Sequence, residues 1–390
     1  MRMKICRGGT RTFRLPLVSP LSTAHGQIVS RDGYLLSLMD EEGRCGFGEA
    51  TPLPEFGTED FSTAGRALEQ ALGRLADART RSIEEALALS SRSCFETPCA
   101  LSAIDSALHD LAAQRAGGPL SDWIRNRAGL PGEPARRVAV QALVIGDDPA
   151  GVAASAQTSL DEGFETFKLK LAVSQSQQGL GLDLERVAAL RDVIGPTHRI
   201  RLDANEAWAF REAELALEAL ERFDIDYVEQ PVGRRDRAAL KDLDANASIA
   251  VAADEALLGR GWEACLESGA ASIFIVKPAA LGGIGPSLAL SCRAQALGIR
   301  VIWSSLIDAA VGRAAAIALA AALGRDGEVH GLGTAKLLAR DLIEGCEVVG
   351  GAIGSSRAAG LGCDLVPVWD ARVDAGEQSG GEIWIVEATH

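Results

Sequence analysis

Long apolar runs are absent from this sequence. The longest, 314–323, lies between Arg313 and Arg325 and is too short to span a bilayer. The stretch 1–17 carries Arg and Lys but no apolar core, so it is not expected to act as a secretory signal. The eight cysteines form no C-x-x-C pair and no Cys–His cluster with zinc spacing. Scattered cysteines of this kind read as buried thiols in a reducing cytosol. Positive charge is also scarce, with 39 Lys and Arg against 53 Asp and Glu, a net charge of −14. An acidic surface repels phosphate backbones and anionic lipid, so neither nucleic acid nor membrane is an expected partner. The glycines at 282, 283 and 285 do not form G-x-G-x-x-G, which leaves a dinucleotide site little support. The expectation is a soluble, cytoplasmic protein acting on a small molecule.

What is present is a long, ordinary globular composition, 390 residues with 47% apolar. That length suits two or three domains, or one barrel with an extra domain. The first third reads as α+β. Short strands are predicted over 34–38 and 46–50, joined by the turn 40–43, with helices over 61–76 and 98–116. A Gly-, Pro- and Arg-rich stretch, 128–137, reads as a linker. From 138 a rhythm begins. β-rich runs at 138–144, 166–171, 199–202, 226–228, 249–252, 272–276 and 301–303 alternate with helical runs such as 184–194, 211–222 and 286–297. Strands alternating with helices imply parallel β/α units, and so many in a row fit a barrel better than an open sheet. The expected division is a capping domain at 1–130 and a barrel at 131–364. A tail at about 365–390, with a strand-like core at 383–386, is expected to rejoin the cap.

Polar residues gather where the β-runs end. Lys168 and Lys170 close one, Asp203 and Asn205 the next. Then follow Glu229, Asp254 with Glu255, Lys277, and Ser304 with Ser305. In a barrel those ends share one mouth, where the active site lies. Asp203, Glu229 and Asp254 would repel one another unless a cation sat between them. Oxygen ligands without His or Cys point to Mg²⁺ or Mn²⁺ rather than Zn²⁺. A helix N-cap could explain one such acid more easily than three in succession. Lys168 and Lys170, two apart on a strand, share a side and face the barrel interior. Each disfavours the other's charge, which suits one of them to act as a general base. Lys277 lies four strands further round. A metal flanked by lysines fits removal of a proton α to a carboxylate, through an enediolate. His109 and His198 read as structural, and Trp208 as packing behind the metal loop. His330 fits either the mouth or a backbone-positioning role.

These motifs resemble the enolase superfamily, in its muconate-lactonizing subgroup. K-x-K, D-x-N, E-Q-P, D-E and K-P-x-x-x-G-G occur here in the family's order. A Lys or His base working with Mg²⁺ is that superfamily's known pairing. Within the subgroup the sequence is most similar to the o-succinylbenzoate synthases. The similarity rests on residues 201–208, the stretch 48–54, and His330-Gly331-Leu332-Gly333-Thr334. The resemblance implies an α/β fold, a modified (β/α)₇β TIM-like barrel with an N-terminal α+β cap. It implies Mg²⁺-dependent dehydration of a carboxylate substrate, 2-succinyl-6-hydroxy-2,4-cyclohexadiene-1-carboxylate, in menaquinone biosynthesis. Lys170 would be the base, Lys277 would stabilise the enediolate, and Lys168 would lower the pKa of Lys170. Asp203, Glu229 and Asp254 would hold Mg²⁺, with Mn²⁺ as a substitute, supported by Asn205 and Glu255. Ser304, Ser305 and Gly331 would contact the succinyl arm. After Ser305 the chain departs from the family, reading Leu306-Ile307-Asp308 where Glu and a polar pair are common. The same lysines would also serve an N-acylamino acid racemase, a dipeptide epimerase or a muconate-type cycloisomerase. A non-catalytic barrel that binds a metal-carboxylate ligand is the reading from another class. Homo-oligomerisation is left open.

Overall fold

The computed structural model describes residues 3–23, 26–78, 82–171, 179–343 and 346–363. The tail expected at 365–390 lies outside the described residues. Three antiparallel strands open the chain, β1 (Ile5–Thr23), β2 (Gly26–Asp40) and β3 (Cys45–Ala50). Four helices follow: α1 (Phe61–Ala78), α2 (Ile83–Ser93), α3 (Pro98–Ala116) and α4 (Leu120–Arg127). The sequence reading recovered β3, part of β2, and α1 and α3, but not β1, α2 or α4.

The helix α3 is the centre of this region. Pro98 sits in its first turn, and Gly117 closes it in the left-handed conformation. Every residue from Ser102 to Ala113 is buried, on all sides of the helix, as expected of a helix packed from two directions. On one side the sheet comes so close that a Cβ on Gly48 would lie 1.8 Å from the Ala103 carbonyl oxygen. On the other, Gly283 at φ 109° leaves room for Asp105, whose Oδ1 would be 2.6 Å from a Cβ there. Cap and barrel thus meet across one helix.

The barrel strands are all parallel, in the order β11-β10-β9-β8-β7-β6-β5. They are β5 (Ala142–Val144), β6 (Thr166–Lys170), β7 (Arg199–Asp203), β8 (Ile225–Glu229), β9 (Val251–Ala253), β10 (Ile273–Val276) and β11 (Arg300–Trp303). A short eighth strand, β12 (Val329–His330), closes the ring. Gly331 N donates to Trp303 O at 2.7 Å, and Gln141 N donates to His330 O at 2.9 Å. The run 138–144, expected as one strand, is two. Arg137–Val140, here β4, pairs with β12 and a small hairpin, while β5 pairs with β6. The break falls at Gln141, whose side chain turns aside to accept from Arg201 Nη1 at 2.8 Å.

Inside the barrel every second residue faces the lumen. Tyr227, Ala252, Ile273, Ile275 and Ile302 form an apolar layer across it. Two residues beyond Tyr227, Ala252, Ile275 and Ile302 come Glu229, Asp254, Lys277 and Ser304, so the next layer is polar. No helix among the described residues is long and apolar enough to cross a membrane.

Candidate active site

The strand ends bring the predicted residues to one mouth. Lys168 and Arg201 are register partners on β6 and β7, as are Lys170 and Asp203, and Asp203 is paired in turn with Glu229 on β8. Lys168 Nζ lies 2.8 Å from Asp203 Oδ2 and 2.7 Å from Glu229 Oε2. Lys277, across the mouth, forms an ion pair with Asp254 Oδ2. Its ammonium also sits 4.2 Å from the ring centre of Phe56, which reaches down from the cap. Lys170 is bound differently. Its Nζ donates to the Asn205 amide oxygen at 3.0 Å and stays 4.0 Å from the Asp203 carboxylate. Asn205 Nδ2 in turn donates to Glu255 Oε1 at 3.3 Å.

The electrostatics are strained by excess acid. Burial opposes the Asp203 carboxylate, yet Lys168 and Lys170 hold its pKa at about 2. Burial and the nearby Asp203 push Glu229 up to about 8. Burial raises Asp254, and raises Glu255 to about 7. Burial should lower Lys168, but Asp203 and Glu229 outweigh it and lift its pKa well above the lysine value. Lys277 is likewise raised, Asp254 outweighing burial.

No group of three His, Cys, Asp or Glu side chains among the described residues closes into a ready cage for a metal. One oxygen of each acid is instead paired with an ammonium: Lys168 meets Asp203 Oδ2 and Glu229 Oε2, and Lys277 meets Asp254 Oδ2. The donor set nevertheless fits a hard divalent cation. Glu229 Oε1 and Asp254 Oδ1 are buried with no hydrogen-bond partner. Orphaned buried carboxylate oxygens are costly unless a charge meets them.

A cavity of about 420 Å³ opens over these groups, a size suited to a small molecule. Lys168, Lys170, Asp203, Asn205, Glu255 and Lys277 line it, as do Ser304, Ser305 and Gly331. Ser304 Oγ donates to Gly331 O at 3.3 Å, and Ser305 Oγ lies 2.9 Å from Thr334 Oγ1. Glu229 and Asp254 lie beneath, buried. His330 does not enter the cavity wall. Its Nδ1 accepts from Trp303 N at 3.2 Å, and burial lowers its pKa to about 4. His109 is also fixed structurally, accepting from Trp123 Nε1 at 3.0 Å.

Several site residues escaped the sequence reading. Arg234 lines the cavity from a loop, away from any strand-end pattern; Phe56 also lines it, from the cap loop 51–57, which was expected to close over the ligand without any one residue being singled out. Gln230 was visible only as part of E-Q-P. Its Oε1 accepts from Asp254 N at 3.0 Å and Ala256 N at 3.2 Å, so it fixes the backbone of the third acid.

Residues 151–369 match the family described as enolase C-terminal domain-like, and residues 10–102 match the MenC N-terminal domain. A hydrophobic dipeptide epimerase from Enterococcus faecalis (strain ATCC 700802 / V583) is 29% identical over 322 residues, 82% of this chain and 88% of its own. An o-succinylbenzoate synthase from Thermobifida fusca (strain YX) is 36% identical over 193 residues, 49% of this chain and 58% of its own. The crystal structure of the dipeptide epimerase from Enterococcus faecalis V583, complexed with Mg and the dipeptide L-Leu-L-Tyr, superposes with a TM-score of 0.83. It is 27% identical, and the match covers 92% of this chain and 99% of that one. With over half its length inside the family match and lysines facing acids across a barrel mouth, the chain is an enzyme and belongs to the enolase superfamily.

Proposed function

We propose that the chain is an o-succinylbenzoate synthase. It would catalyse syn-dehydration of 2-succinyl-6-hydroxy-2,4-cyclohexadiene-1-carboxylate to 2-succinylbenzoate, in the cytoplasmic synthesis of menaquinone. The cap would be residues 1–130 with the tail at 365–390, and the catalytic barrel 131–364. Asp203, Glu229 and Asp254 would hold Mg²⁺, with Asn205 and Glu255 supporting them. When bound, the ion supplies positive charge against the substrate carboxylate as its α-carbon loses a proton.

The observation that carries this reading is the asymmetry of the two lysines. Lys170 is held by a neutral amide oxygen, which leaves its nitrogen able to take the α-proton. Lys277 is held by Asp254 and stacked on Phe56, and both contacts favour a permanent ammonium. Lys277 then stabilises negative charge on the opposite face without exchanging a proton. Lys170 carries the α-proton from the ring and hands it to the hydroxyl leaving the same face, which departs as water. The ring gains its third double bond and becomes aromatic. Lys168 stays ion-paired beneath, its ammonium bridging Asp203 and Glu229. The wall beside β12 is Ser304, Ser305, Gly331, Gly333 and Thr334. Hydroxyls with no carboxylate among them suit a succinyl carbonyl and carboxylate better than the ammonium of a dipeptide. The MenC N-terminal match and the T. fusca relative support the same reading.

The second reading is 1,1-proton transfer, as in the epimerase relatives, which the longer alignment favours. It requires Lys277 to give and take a proton. The deciding measurement is formation of 2-succinylbenzoate with Mg²⁺, with EDTA, and by Lys170→Ala. Metal-dependent turnover lost in the variant is expected. No turnover by a folded, Mg²⁺-loaded protein would overturn the dehydratase. Exchange of the α-proton of N-succinylamino acids in D₂O would then test the racemase.

A further inference from the structure

The group that holds Lys170 hangs from an unusual piece of backbone. Asn205 and Glu206, consecutive and neither of them glycine, lie at φ 44° and 63°. Left-handed residues of this kind are strained and persist only where the surroundings impose them. Asn205 is fixed by its own contacts. It accepts from Lys170, donates to Glu255, and sends its backbone N–H to Asp203 Oδ1 at 3.1 Å.

Glu206 is fixed by Arg234, from the loop after β8. Arg234 Nε donates to both Glu206 carboxylate oxygens at 2.9 Å, Nη2 donates to Oε2, and the Arg234 backbone N–H donates to Oε1 at 2.5 Å. One nitrogen of the guanidinium remains. Nη1 crosses to the cap and donates to the Phe56 carbonyl at 2.6 Å. The approach is close: a Cβ on Gly57, at φ 109°, would lie 2.4 Å from that nitrogen. The ring of the same Phe56 covers the Lys277 ammonium. One guanidinium therefore reaches towards Lys170 through Glu206 and Asn205, and towards Lys277 through Phe56. Only the rigid, planar arginine head has enough donors in fixed directions for both tasks.

We propose that Arg234 is a positioning residue that joins the cap loop 51–58 and the Asn205–Glu206 turn into one unit. Both lysines then reach their working positions only while the cap loop is seated. The inference rests on Lys170 and Lys277 being the reacting lysines, and not on dehydration being the reaction.

The test compares the parent protein with Arg234→Ala and Arg234→Lys by amide hydrogen exchange and by steady-state turnover of the cyclohexadiene carboxylate. In Arg234→Ala, exchange is expected to quicken about tenfold or more in peptides covering both 51–58 and 204–207, with the barrel strands unchanged. The kcat should fall about tenfold or more, since small misplacements of reacting groups are costly. Millimolar guanidinium should restore part of it, which general loss of packing would not allow. Arg234→Lys keeps the charge without the fork, so it should loosen both segments to a smaller degree. It serves in place of the alanine variant if that one does not fold. Faster exchange confined to one segment, an unchanged kcat, or no response to guanidinium would overturn the proposal. The exchange arm needs no substrate, so a chain inert towards the cyclohexadiene would sink the dehydratase reading and still decide the coupling.

Discussion

At the floor of the barrel Arg201 and Arg300 meet Asp226 and Glu328. At the mouth Lys168, Lys170 and Lys277 meet Asp203, Glu229, Asp254 and Glu255. The floor is balanced and complete. Arg201 donates to Asp226 at 2.8 Å, to Glu328 at 3.0 Å and to the Val329 carbonyl at 2.7 Å. Arg300 takes up the other oxygens of the same two acids at 2.8 and 2.6 Å. Burial opposes ionisation of Asp226 and Glu328, and the arginines still hold both below their ordinary values. The mouth has three ammonium groups for four carboxylates, and Glu229, Asp254 and Glu255 each keep a buried oxygen without a partner. Burial drives those three acids upward instead. The difference separates a network that holds strands together from one that awaits charge from outside. Buried ion pairs alone do not mark a functional site; missing countercharge does.

The contrast can be broken at either end. The largest effect should come from stripping divalent metal. EDTA is expected to abolish turnover, Mg²⁺ to restore it, and the far-ultraviolet circular dichroism to stay constant throughout. Next, Lys170→Ala should lower kcat by about 10²–10⁴-fold, the usual share of a general base, without moving the urea midpoint. A rate within tenfold of the parent's would remove Lys170 from that role. The floor should respond in the opposite way. Arg201→Met leaves two buried acids short of a partner and should cost about 3–5 kcal/mol in denaturant titrations. Its kcat, measured on the folded protein, should stay near the parent's.

The smallest effect is a difference in pH slope. Asp226 and Glu328 have folded pKa values below their unfolded ones. Their contribution to stability is present above the unfolded values and is lost as pH falls through the folded ones. Asp105, between cap and barrel, is the reverse: burial raises it from 3.8 to about 7. It favours folding most below 3.8, and that advantage is lost as pH rises towards 7. Asp105→Asn should therefore flatten the decline in urea midpoint between pH 4 and 7, whereas Glu328→Gln should lower the midpoint evenly above about pH 4.5 and change its pH slope only below that. Identical slopes in Asp105→Asn and parent would show that Asp105 does not titrate in this window.

Much of the barrel was legible because its chemistry is periodic. β6 to β11 alternate lumen and helix faces, and the polar residues arrive at regular intervals. The eighth strand was not, since Val329–His330 is too short to carry a pattern. β1 hid its length behind glycines at 8 and 9, prolines at 16 and 20, and several arginines. α2 did offer a signal: Ser82 accepts from Glu85 N, a cap spaced as capping motifs are. At the site, residues on strands or just past their ends were readable, and individual residues brought in from deeper in the loops were not. Phe56 and Arg234 matter through contacts with chain 178 positions apart, a relation no local pattern encodes. The departure at 306–308 also resolved into structure. Ile307 takes φ 59°, its carbonyl accepts from Arg31 Nε at 3.3 Å, and Asp308 Oδ2 accepts from Leu306 N at 3.2 Å.

The helix α3 limits how substrate can enter. Ile104, Leu108 and Leu111 are fully buried, and exposing each to water would cost about 1.5–3 kcal/mol. With the cap sheet on one flank and residues 278–285 on the other, a rigid-body swing of the cap away from the barrel would have to expose part of this helix. Local opening of the cap's loops over the cavity costs less buried surface and is the expected route into and out of the barrel. The rate at which product leaves is then a property of a few loop residues, and mutations deep in the cap should change how long the protein lasts more than how fast it works.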